Sequence, residues 1–521
     1  MKNLDSLTLK YFFEENKDFI KSAIVQKIQL PTRYEIILNI RAKNENKKLY
    51  ININPKYPHI CFIDETSKTK RDITIPKNPP MFCMQLRKYL SGSKIKDFRV
   101  VDYERIVELY FDYFDEIGSL TRLCLCFELM GKYSNIILYN AQNRTIIGSM
   151  HNVSSEKSAN REIYGGIKYT YPCLKSKLDI LKTSYAGFFE LSGDIKTIND
   201  NFYYFTNPIL EKIFELKLNK QELFNFLQEL QNLKNTDFIK EFWDKKPSVN
   251  ESIDSYFSNL MFEDILKNKK SFLKKILLKD IKKLNNIVSI KPDNKPDILK
   301  QKADLLMANI YSVNNYQTEV VLDGVRIELE KNLSVSKNAQ KYYSLYKKAL
   351  STNSYRILRQ KEAKEKLDYF ESIVFNIENA SLIEELEEIK EELSKLNLIK
   401  KENIKTNKTN INKIIYKNYE IYIGKNNIQN DYLVSKVAKD EDLWFHGQNF
   451  PSSHIILKVP NNKKAPDKEV LEFCAKLTKE NSKAKNSGKT PIIYTKRKNL
   501  KKPPNTYPGY VTYKNESEIV I

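Results

Sequence analysis

A chain of 521 residues is too long for a single hydrophobic core, so we expect about three or four domains. Its hydrophobic content of 41% excludes disorder as the default state, and its 13 glycines argue against a fold built on glycine-rich phosphate loops. The formal net charge of +22 favours a polyanionic partner such as RNA, DNA or an anionic membrane, with a base-composition bias as the alternative.

The N-terminus and the cysteines argue against export. Acidic residues stand in MKNLDSLTLKYFFEEN where a signal peptide has an apolar run, and no stretch reaches the ~20 apolar residues of a membrane span. The six cysteines include no CxxC pair, and Cys124 and Cys126 alternate in a strand-like run that is typical of small core residues. We therefore expect a cytoplasmic protein with no membrane contact, disulfide framework, metal or other cofactor.

Residues 1–172 carry the pattern of an α/β domain. A helix is predicted over 7–25, and a short amphipathic helix with Arg87 and Lys88 on its polar side follows a pair of prolines. Strand-like runs at short intervals predict a β-hairpin and then a mostly antiparallel sheet. These runs are 34–40, 49–53, 105–114, 120–130, 135–139 and 145–150.

Helical spacing dominates residues 173–252 and 253–400. The turns of the first stretch match a helix-hairpin-helix module poorly, so plain helical packing is favoured there. The second stretch predicts two helical arms; Pro292 and Pro296 interrupt the first arm, since proline cannot donate an intrahelical hydrogen bond. An Asp-Gly pair at 323–324 between β-branched runs predicts a hairpin near the tip. The apolar residues of the second arm follow heptads: Leu367, Phe370, Val374, Ile377, Leu382, Leu386, Ile389, Leu393 and Leu396.

Opposite charges crowd the two arms. Residues 267–283 hold eight lysines and residues 378–392 hold seven glutamates. If the arms fold antiparallel, these charges meet, so pairing between helices is favoured over RNA binding for this lysine run. A polar Lys/Asn/Thr-rich linker is predicted over 400–412.

Residues 413–521 are predicted to form a compact α+β domain that contains a dense polar segment, 416–458. Its Gly-Lys-Asn-Asn turn lacks the Lys-Ser/Thr ending of a P-loop, which argues against nucleotide hydrolysis. His446 and His454 lack a third ligand for a metal, so structural or RNA-stacking roles are favoured over catalysis. We interpret the segment as a recognition surface.

Positive charge is concentrated after this segment. Residues 476–502 hold ten basic residues and one acidic residue, and 496–502 alone hold five cations. Such cations repel one another unless phosphates or acids lie opposite. We expect 496–502 to contact nucleic acid, with a solvated loop as the alternative.

Four parts of the chain together resemble the NFACT family. They are PPMFCMQLRKYLSG, ELMGKYSNIIL, the pair LLMANIY and KNAQKYYSLYKK, and the segment 416–458 with its SSHIILK. The resemblance spans nearly the whole chain and implies a multidomain α+β protein. Its implied domains are an α/β NFACT-N domain at 1–172, a helix-hairpin-helix-like region at 173–252, a long antiparallel coiled-coil arm at 253–400 and an α+β NFACT-R RNA-binding domain at 413–521.

The resemblance also implies a function in ribosome-associated quality control. Family members bind large ribosomal subunits that still hold peptidyl-tRNA, recruit charged tRNA and direct mRNA-independent tailing of the nascent chain. The tRNA that bacterial members recruit is alanyl-tRNA. The implied partners are thus the large subunit, rRNA and tRNA, and the chain would not be an enzyme, because the ribosome forms the peptide bonds. An older name for bacterial members suggests the alternative of a fibronectin-binding surface adhesin. A glycosylase related to NFACT-N would need an N-terminal Pro-Glu pair, where this chain has Lys2-Asn3.

Residue roles come from the same resemblance. The family's Asp-Arg pair falls on Glu104-Arg105, where the longer acid changes the reach of the carboxylate, and its Gly-Ser-His falls on residues 452–454, without the glycine. The implied tRNA-binding residues are Arg87, Lys88, Glu104 and Arg105. The implied ribosome or tRNA contacts are Glu128, Leu129, Met130 and Lys132, which include the family's Glu-Ile-Met. The predicted RNA-binding residues of the last domain are Lys425, Asn427, Asn430, His446, Ser453, His454, Lys496, Arg497, Lys498, Lys501 and Lys502.

Overall fold

A computed structural model describes residues 4–101, 104–114, 118–156, 161–172, 177–203, 205–291, 293–400, 411–460, 466–504 and 506–521. The chain forms two compact units, Met1–Ile265 and Leu266–Ile521. Lys2, Asn3, Cys173, Pro292 and nearly all of the predicted linker lie outside the described residues. Within the described ranges, no helix combines the length and the apolar character needed to cross a bilayer.

A four-stranded antiparallel sheet opens the first unit. Two helices precede it, α1 (Ser6–Glu15) and α2 (Lys17–Ile20), and Asp5 caps α1 by accepting a hydrogen bond from the Thr8 backbone N–H at 2.7 Å. The strands follow one another in space as they do in sequence. They are β1 (Ile24–Gln29), β2 (Glu35–Ala42), β3 (Glu45–Asn52) and β4 (His59–Ile63).

This sheet corrects one prediction and confirms another. The helix predicted over 7–25 ends at Ile20, because the β-branched pair that follows it is extended and Val25 pairs with β2. The predicted hairpin is present as β2–β3. Its turn residues Lys43 and Asn44 lie in the left-handed region, at φ 47° and 63°, as a two-residue hairpin turn requires.

A second, five-stranded antiparallel sheet follows in the same unit, as predicted. Helices α3 (Glu65–Lys70) and α4 (Met81–Leu90) come before it. Its strands also run in sequence order: β5 (Ile95–Val100), β6 (Ile106–Phe114), β7 (Leu120–Glu128), β8 (Asn135–Asn140) and β9 (Ile146–Ser149). Helix α4 approaches β9 so closely that a Cβ on Gly148 would meet Gln85 Oε1 at 2.5 Å, so a larger residue there would require the Gln85 side chain to move.

Five short helices complete the first unit and confirm the helical packing predicted after residue 173. Their inward side chains, among them Phe188, Phe202 and Leu227, share one hydrophobic core with the first sheet. The helix-hairpin-helix comparison stays a prediction. The helices are α5 (Tyr185–Leu191), α6 (Ile195–Asn201), α7 (Asn207–Phe214), α8 (Lys220–Gln231) and α9 (Thr236–Trp243). Helix α10 then begins and runs over Val249–Val288.

Most of the arm lies in the second unit, which begins at Leu266 within α10. The first arm is interrupted as predicted, because α10 ends at Val288 and α11 starts at Lys295. Pro296 lies in the first turn of α11, where a backbone N–H has no partner within the helix, so the missing N–H of proline costs no hydrogen bond. The predicted hairpin is also present, with Asp323 and Gly324 at φ 48° and 77°. These elements are α11 (Lys295–Ala308), β10 (Glu319–Leu322), β11 (Val325–Glu328), α12 (Val335–Asn379) and α13 (Ile383–Lys395).

The second arm is not one helix, which corrects the prediction of heptads continuing from 367 to 396. The chain turns after Asn379, and the Glu385 carboxylate accepts hydrogen bonds from the N–H groups of Ser381 and Leu382, at 2.7 and 3.2 Å. Helix α13 therefore starts afresh and packs its leucines into a core shared with Phe370 and the α10 residue Leu273.

Charge pairing between the helices is confirmed within this unit. The ammonium group of Lys269 lies 2.6 Å from Glu387, and that of Lys274 lies 2.5 Å from Glu378. Lys270 donates to the backbone carbonyl of Glu378 at 2.8 Å. At least part of the lysine run is therefore satisfied inside the protein.

The C-terminal part of the second unit is an α+β domain, as predicted. Its six-stranded sheet has the order β12-β13-β15-β14-β16-β17 and is antiparallel throughout its registered pairs. Helix α15 packs Val470, Cys474 and Ala475 into the core of this sheet. The elements are β12 (Asn412–Tyr416), β13 (Tyr419–Ile423), α14 (Asn427–Tyr432), β14 (Leu443–Gly447), β15 (Ile455–Leu457), α15 (Lys468–Glu480), β16 (Pro491–Lys496) and β17 (Ser517–Val520).

Cys124 and Cys126 are buried, as predicted for small core residues. All five cysteines of the described ranges are buried and free. They are Cys61, Cys83, Cys124, Cys126 and Cys474.

Candidate nucleic-acid interface

Two of the predicted contact motifs meet at one end of the second sheet. Glu104 and Arg105 come directly before β6, and the backbone carbonyl of Arg105 accepts a hydrogen bond from the N–H of Leu129 at 2.9 Å. The next pair in the ladder is Ile106 with Glu128. Strand pairing thus brings together residues that are more than 20 positions apart in sequence.

Both side chains of the Glu104-Arg105 pair are half-buried. Burial raises the pKa of Glu104, while the positive charges of Arg105 and Lys177 lower it. Burial lowers the pKa of Arg105, and the carboxylates of Asp5 and Glu104 raise it. Burial likewise raises the pKa of Asp5 to about 6, against hydrogen bonds from Thr8 and the charge of Arg105. Arg105 is thus a guanidinium held beside two carboxyl groups.

Glu128 is enclosed by the protein. Its carboxylate has no exposed surface and accepts hydrogen bonds from Arg161 Nη1 at 3.0 Å, from Arg161 Nη2 at 2.5 Å and from the Tyr169 hydroxyl at 2.8 Å. The bidentate geometry makes this a strong, specific pair. Sequence reasoning missed Arg161 and Tyr169, because both lie more than 30 residues away and nothing local marks them.

The residues that follow Glu128 in the predicted contact motif differ in their exposure. Leu129 is buried, Met130 is half-buried, and Lys132 is exposed in a 3₁₀ turn, with its ammonium group 4.8 Å from the centre of the Tyr133 ring. Tyr133 itself is 70% exposed. Of the predicted contacts here, Met130 and Lys132 are the ones that a partner can touch, and their role stays a prediction.

The other predicted tRNA-binding residues lie on α4. Arg87 is half-buried, and its Nε donates to the backbone carbonyl of Ile28 at 3.0 Å, which ties the helix to β1. Lys88 is exposed beside Tyr89. Two exposed methionines, Met81 and Met84, stand on the same helix.

In the C-terminal domain, the Gly-Lys-Asn-Asn turn is the start of α14. Asn426 caps this helix by accepting from the N–H of Gln429 at 2.9 Å. The buried Asn430 accepts from the N–H of His454 at 3.1 Å, and its side chain presses on Gly424, where a Cβ would meet Asn430 Oδ1 at 2.1 Å. Glycine is required here for close approach and not for cradling a phosphate.

The same turn joins the sheet domain to the arm helices. Asn427 donates to Ser372 on α12 and to Glu392 on α13, each at 3.1 Å. Asn426 and Gln429 both donate to Glu388, at 2.5 and 2.8 Å. These side chains are thus occupied inside the second unit.

The buried residues of the segment 416–458 therefore have a positioning role in this structure. Asn427, Asn430, Ser453 and His454 are each less than 10% exposed. Lys425 is half-buried, with its Nζ 3.4 Å from Asn481 Oδ1. Their predicted contact with RNA stays a prediction, and the interpretation of the segment as one exposed recognition surface does not hold for the buried four.

The two histidines stack with Trp444. His446 lies parallel to the indole at 5.4 Å and His454 lies edge-on at 5.3 Å. Burial lowers the pKa of His446 to about 4 and lowers that of His454 well below its usual value. Both rings are therefore neutral at pH 7 and do not attract phosphate. In the described ranges, no group of three His, Cys, Asp or Glu side chains could hold a metal ion.

Acids face the basic run 496–502. Glu441 lies 2.7 Å from the ammonium group of Lys496 and 2.6 Å from that of Lys498, Asp440 lies 3.4 Å from Arg497, and Asp431 pairs with Lys502. The hydrogen bonds from Lys496 and Lys498 lower the pKa of Glu441 to about 2. Strand pairing of Leu443 with Lys496 places the acidic triplet before Trp444 opposite the cations. Four of the five cations thus have an internal partner.

The sequence of the chain is similar to those of known proteins. Residues 5–412 match the NFACT N-terminal and middle domains, and residues 412–515 match the NFACT protein RNA binding domain. The protein named Rqc2 homolog RqcH from Bacillus subtilis is 28% identical over an alignment that covers 97% of this chain and 95% of that protein. The protein of the same name from Streptococcus suis is 29% identical over an alignment that covers 100% of this chain and 98% of that protein.

Among solved structures, the N-terminal part of the fibronectin/fibrinogen-binding protein from Streptococcus suis is 26% identical, covers 49% of this chain and 99% of its own, and has a TM-score of 0.39. The two matched regions together span nearly the whole sequence, and the second is an RNA-binding domain. The chain belongs to the NFACT family.

Proposed function

We propose that the chain is an RNA-binding factor of ribosome-associated quality control that acts on ribosomes in the cytoplasm. The observation that carries the proposal is the similarity over nearly the full length to two proteins named Rqc2 homolog RqcH, together with the matched RNA-binding domain. The net charge of +22 supports a polyanionic partner.

In finer terms, the chain binds large ribosomal subunits that still hold peptidyl-tRNA and recruits charged tRNA, alanyl-tRNA in particular. Tailing of the nascent chain then proceeds without mRNA. The chain is not an enzyme in this proposal, because peptide-bond formation belongs to the ribosome. Its own contribution is to hold one RNA beside another, which raises their effective concentration.

Arg105 is the residue that we assign to tRNA. Its backbone is fixed by the bond to Leu129, and its guanidinium carries a charge at every physiological pH. The neighbouring Met130 and Lys132 are accessible. A backbone-anchored arginine beside exposed groups suits contact with a phosphate or a base edge.

RNA recovered with the protein tests the proposal. We expect the wild-type chain captured from cells to be enriched in rRNA of the large subunit and in tRNA, when the bound RNA is sequenced. The variant Arg105→Ala should keep the rRNA and lose most of the tRNA. Arg99→Ala serves as the matched control, since Arg99 is an exposed arginine on β5 outside the predicted site.

Recovery of neither RNA above background would overturn the proposal. Equal tRNA with the wild type and Arg105→Ala would overturn the role of Arg105 alone. Binding to immobilised fibronectin in place of RNA would favour the surface adhesin.

A further inference from the structure

Four lysines, one on helix α15 and three in the loop between α15 and strand β16, have no acid opposite them among the described residues. Residues 476–489 contain one acidic side chain, Glu480. Over the ranges that the structure describes, no carboxylate lies within 4.0 Å of these four ammonium groups. All four residues are exposed, and we call them the α15–β16 lysines: Lys476, Lys483, Lys485 and Lys489.

The loop that carries Lys483, Lys485 and Lys489 is held in place by hydrogen bonds. A fifth lysine, Lys479, turns inward and donates to the main-chain oxygens of Gly488 at 2.8 Å and Ile521 at 3.0 Å. The N–H of Lys483 donates to Pro451 at 3.0 Å. A loop fixed in this way presents its cations with less loss of backbone freedom on binding.

The same loop is joined to the segment 416–458. The N–H of Ser453 donates to the carbonyl of Asn481 at 2.9 Å, and Ser452 and Ser482 form an isolated β-bridge. The Ser-Ser-His motif, whose own side chains are mostly buried, therefore positions the lysine loop. The buried motif thus acts on binding indirectly, by holding the loop.

Charge balance favours these lysines over the basic run as phosphate contacts. A phosphate that approaches Lys496 or Lys498 also approaches Glu441, so repulsion by the carboxylate opposes the attraction. The α15–β16 lysines have no carboxylate within 4.0 Å in the part of the chain that the structure describes. Each can neutralise a phosphate and release a counterion, which is the main source of non-specific affinity for nucleic acids.

We propose that the α15–β16 lysines form the principal phosphate-binding surface of the C-terminal domain, with the phosphate backbone of RNA as the ligand. The proposal rests on the proposed function only in taking RNA as the polyanion. Residues 476–489 contain neither arginine nor an aromatic side chain, so the surface positions RNA without reading its bases.

The test compares two full-length variants with the same change in charge. One carries glutamine at the four α15–β16 lysines (K476Q, K483Q, K485Q and K489Q). The matched control carries glutamine at Lys496, Lys498, Lys501 and Lys502. Binding of a fluorescent 20-nucleotide single-stranded RNA is measured over a range of salt concentrations, with two probes of different sequence, and circular dichroism checks the fold.

We expect the first variant to flatten the slope of log K against log salt by up to about 0.7 for each lost contact, or roughly 3 in total, equally for both probes. The control should flatten it by less. A first variant with the wild-type slope, or a control that loses more, overturns the inference while leaving the proposed function intact. A wild-type chain that binds neither probe also overturns the inference, whereas the proposed function is decided by the RNA recovered from cells. Single substitutions, each expected to remove at most about 0.7, keep the test decisive if the fourfold variant misfolds.

Discussion

At Glu128, a carboxylate that the family resemblance assigns to ribosome or tRNA contact is enclosed by Arg161 and Tyr169. A buried ion pair of this geometry satisfies both charges, and removing one partner leaves the other uncompensated. The motif residue thus supports the end of β7, where Leu129 binds the backbone of Arg105. Its importance for function would be indirect, through the position of Arg105.

Substitution of Glu128 tests this role in stability. We expect Glu128→Gln to destabilise the first unit by about 3 to 5 kcal/mol, because the Arg161 guanidinium loses its counter-charge inside the protein. Chemical denaturation followed by circular dichroism measures the change. Lys132→Ala is the control, since this nearby exposed side chain should change stability by no more than about 0.5 kcal/mol. A loss below 1 kcal/mol for Glu128→Gln would show that the pair contributes little.

At the scale of the elements, helices α13 and α14 are joined through a buried carboxyl group, that of Glu392. Glu392 is 2% exposed and accepts hydrogen bonds from the Tyr369 hydroxyl and from Asn427 Nδ2. Burial raises its pKa to about 7 from 4.5, although Tyr369, Asn427 and the charge of Lys395 lower it. The ring of Tyr507 stacks on Tyr369 at 4.1 Å and closes the site.

Stability of the second unit should therefore depend on pH through Glu392. Between about pH 4.5 and pH 7 the folded state binds a proton that the unfolded state has released, so the free energy of unfolding falls as pH rises through this window. The full effect is about 3 kcal/mol at 1.36 kcal/mol per pKa unit. Thermal melts of Glu392→Gln should lose this part of the pH dependence. Glu384→Gln, an exposed change on the same helix, should keep it, and identical pH profiles for wild type and Glu392→Gln would contradict the assignment.

The elements also show what the sequence could predict and what it could not. Both predicted hairpins formed, because local turn chemistry decides them. The turn between α12 and α13 was missed, although the heptad steps of three and four contain a single step of five, from Ile377 to Leu382, at that place. The pairing of Glu441 with Lys496 and Lys498 depends on which strands are neighbours, and no local pattern encodes that order.

Across the whole molecule, each buried apolar cluster draws its residues from one unit. The largest cluster extends from Leu4 to Met261, and the cluster at the base of the arm begins after residue 265. Units with separate cores can unfold in separate cooperative transitions.

Calorimetry of the full chain should accordingly resolve more than one unfolding transition. We expect Glu128→Gln to lower the midpoint of one transition by about 2 to 4 °C for each kcal/mol lost, and to leave another unchanged. Glu392→Gln should instead shift the midpoint of the transition that Glu128→Gln leaves unchanged. At pH 8 it should raise that midpoint, because the wild-type carboxylate is then ionised in its buried site. Lys132→Ala should move neither. A single transition that both glutamine variants shift together would contradict this expectation and would mean that the two units unfold as one.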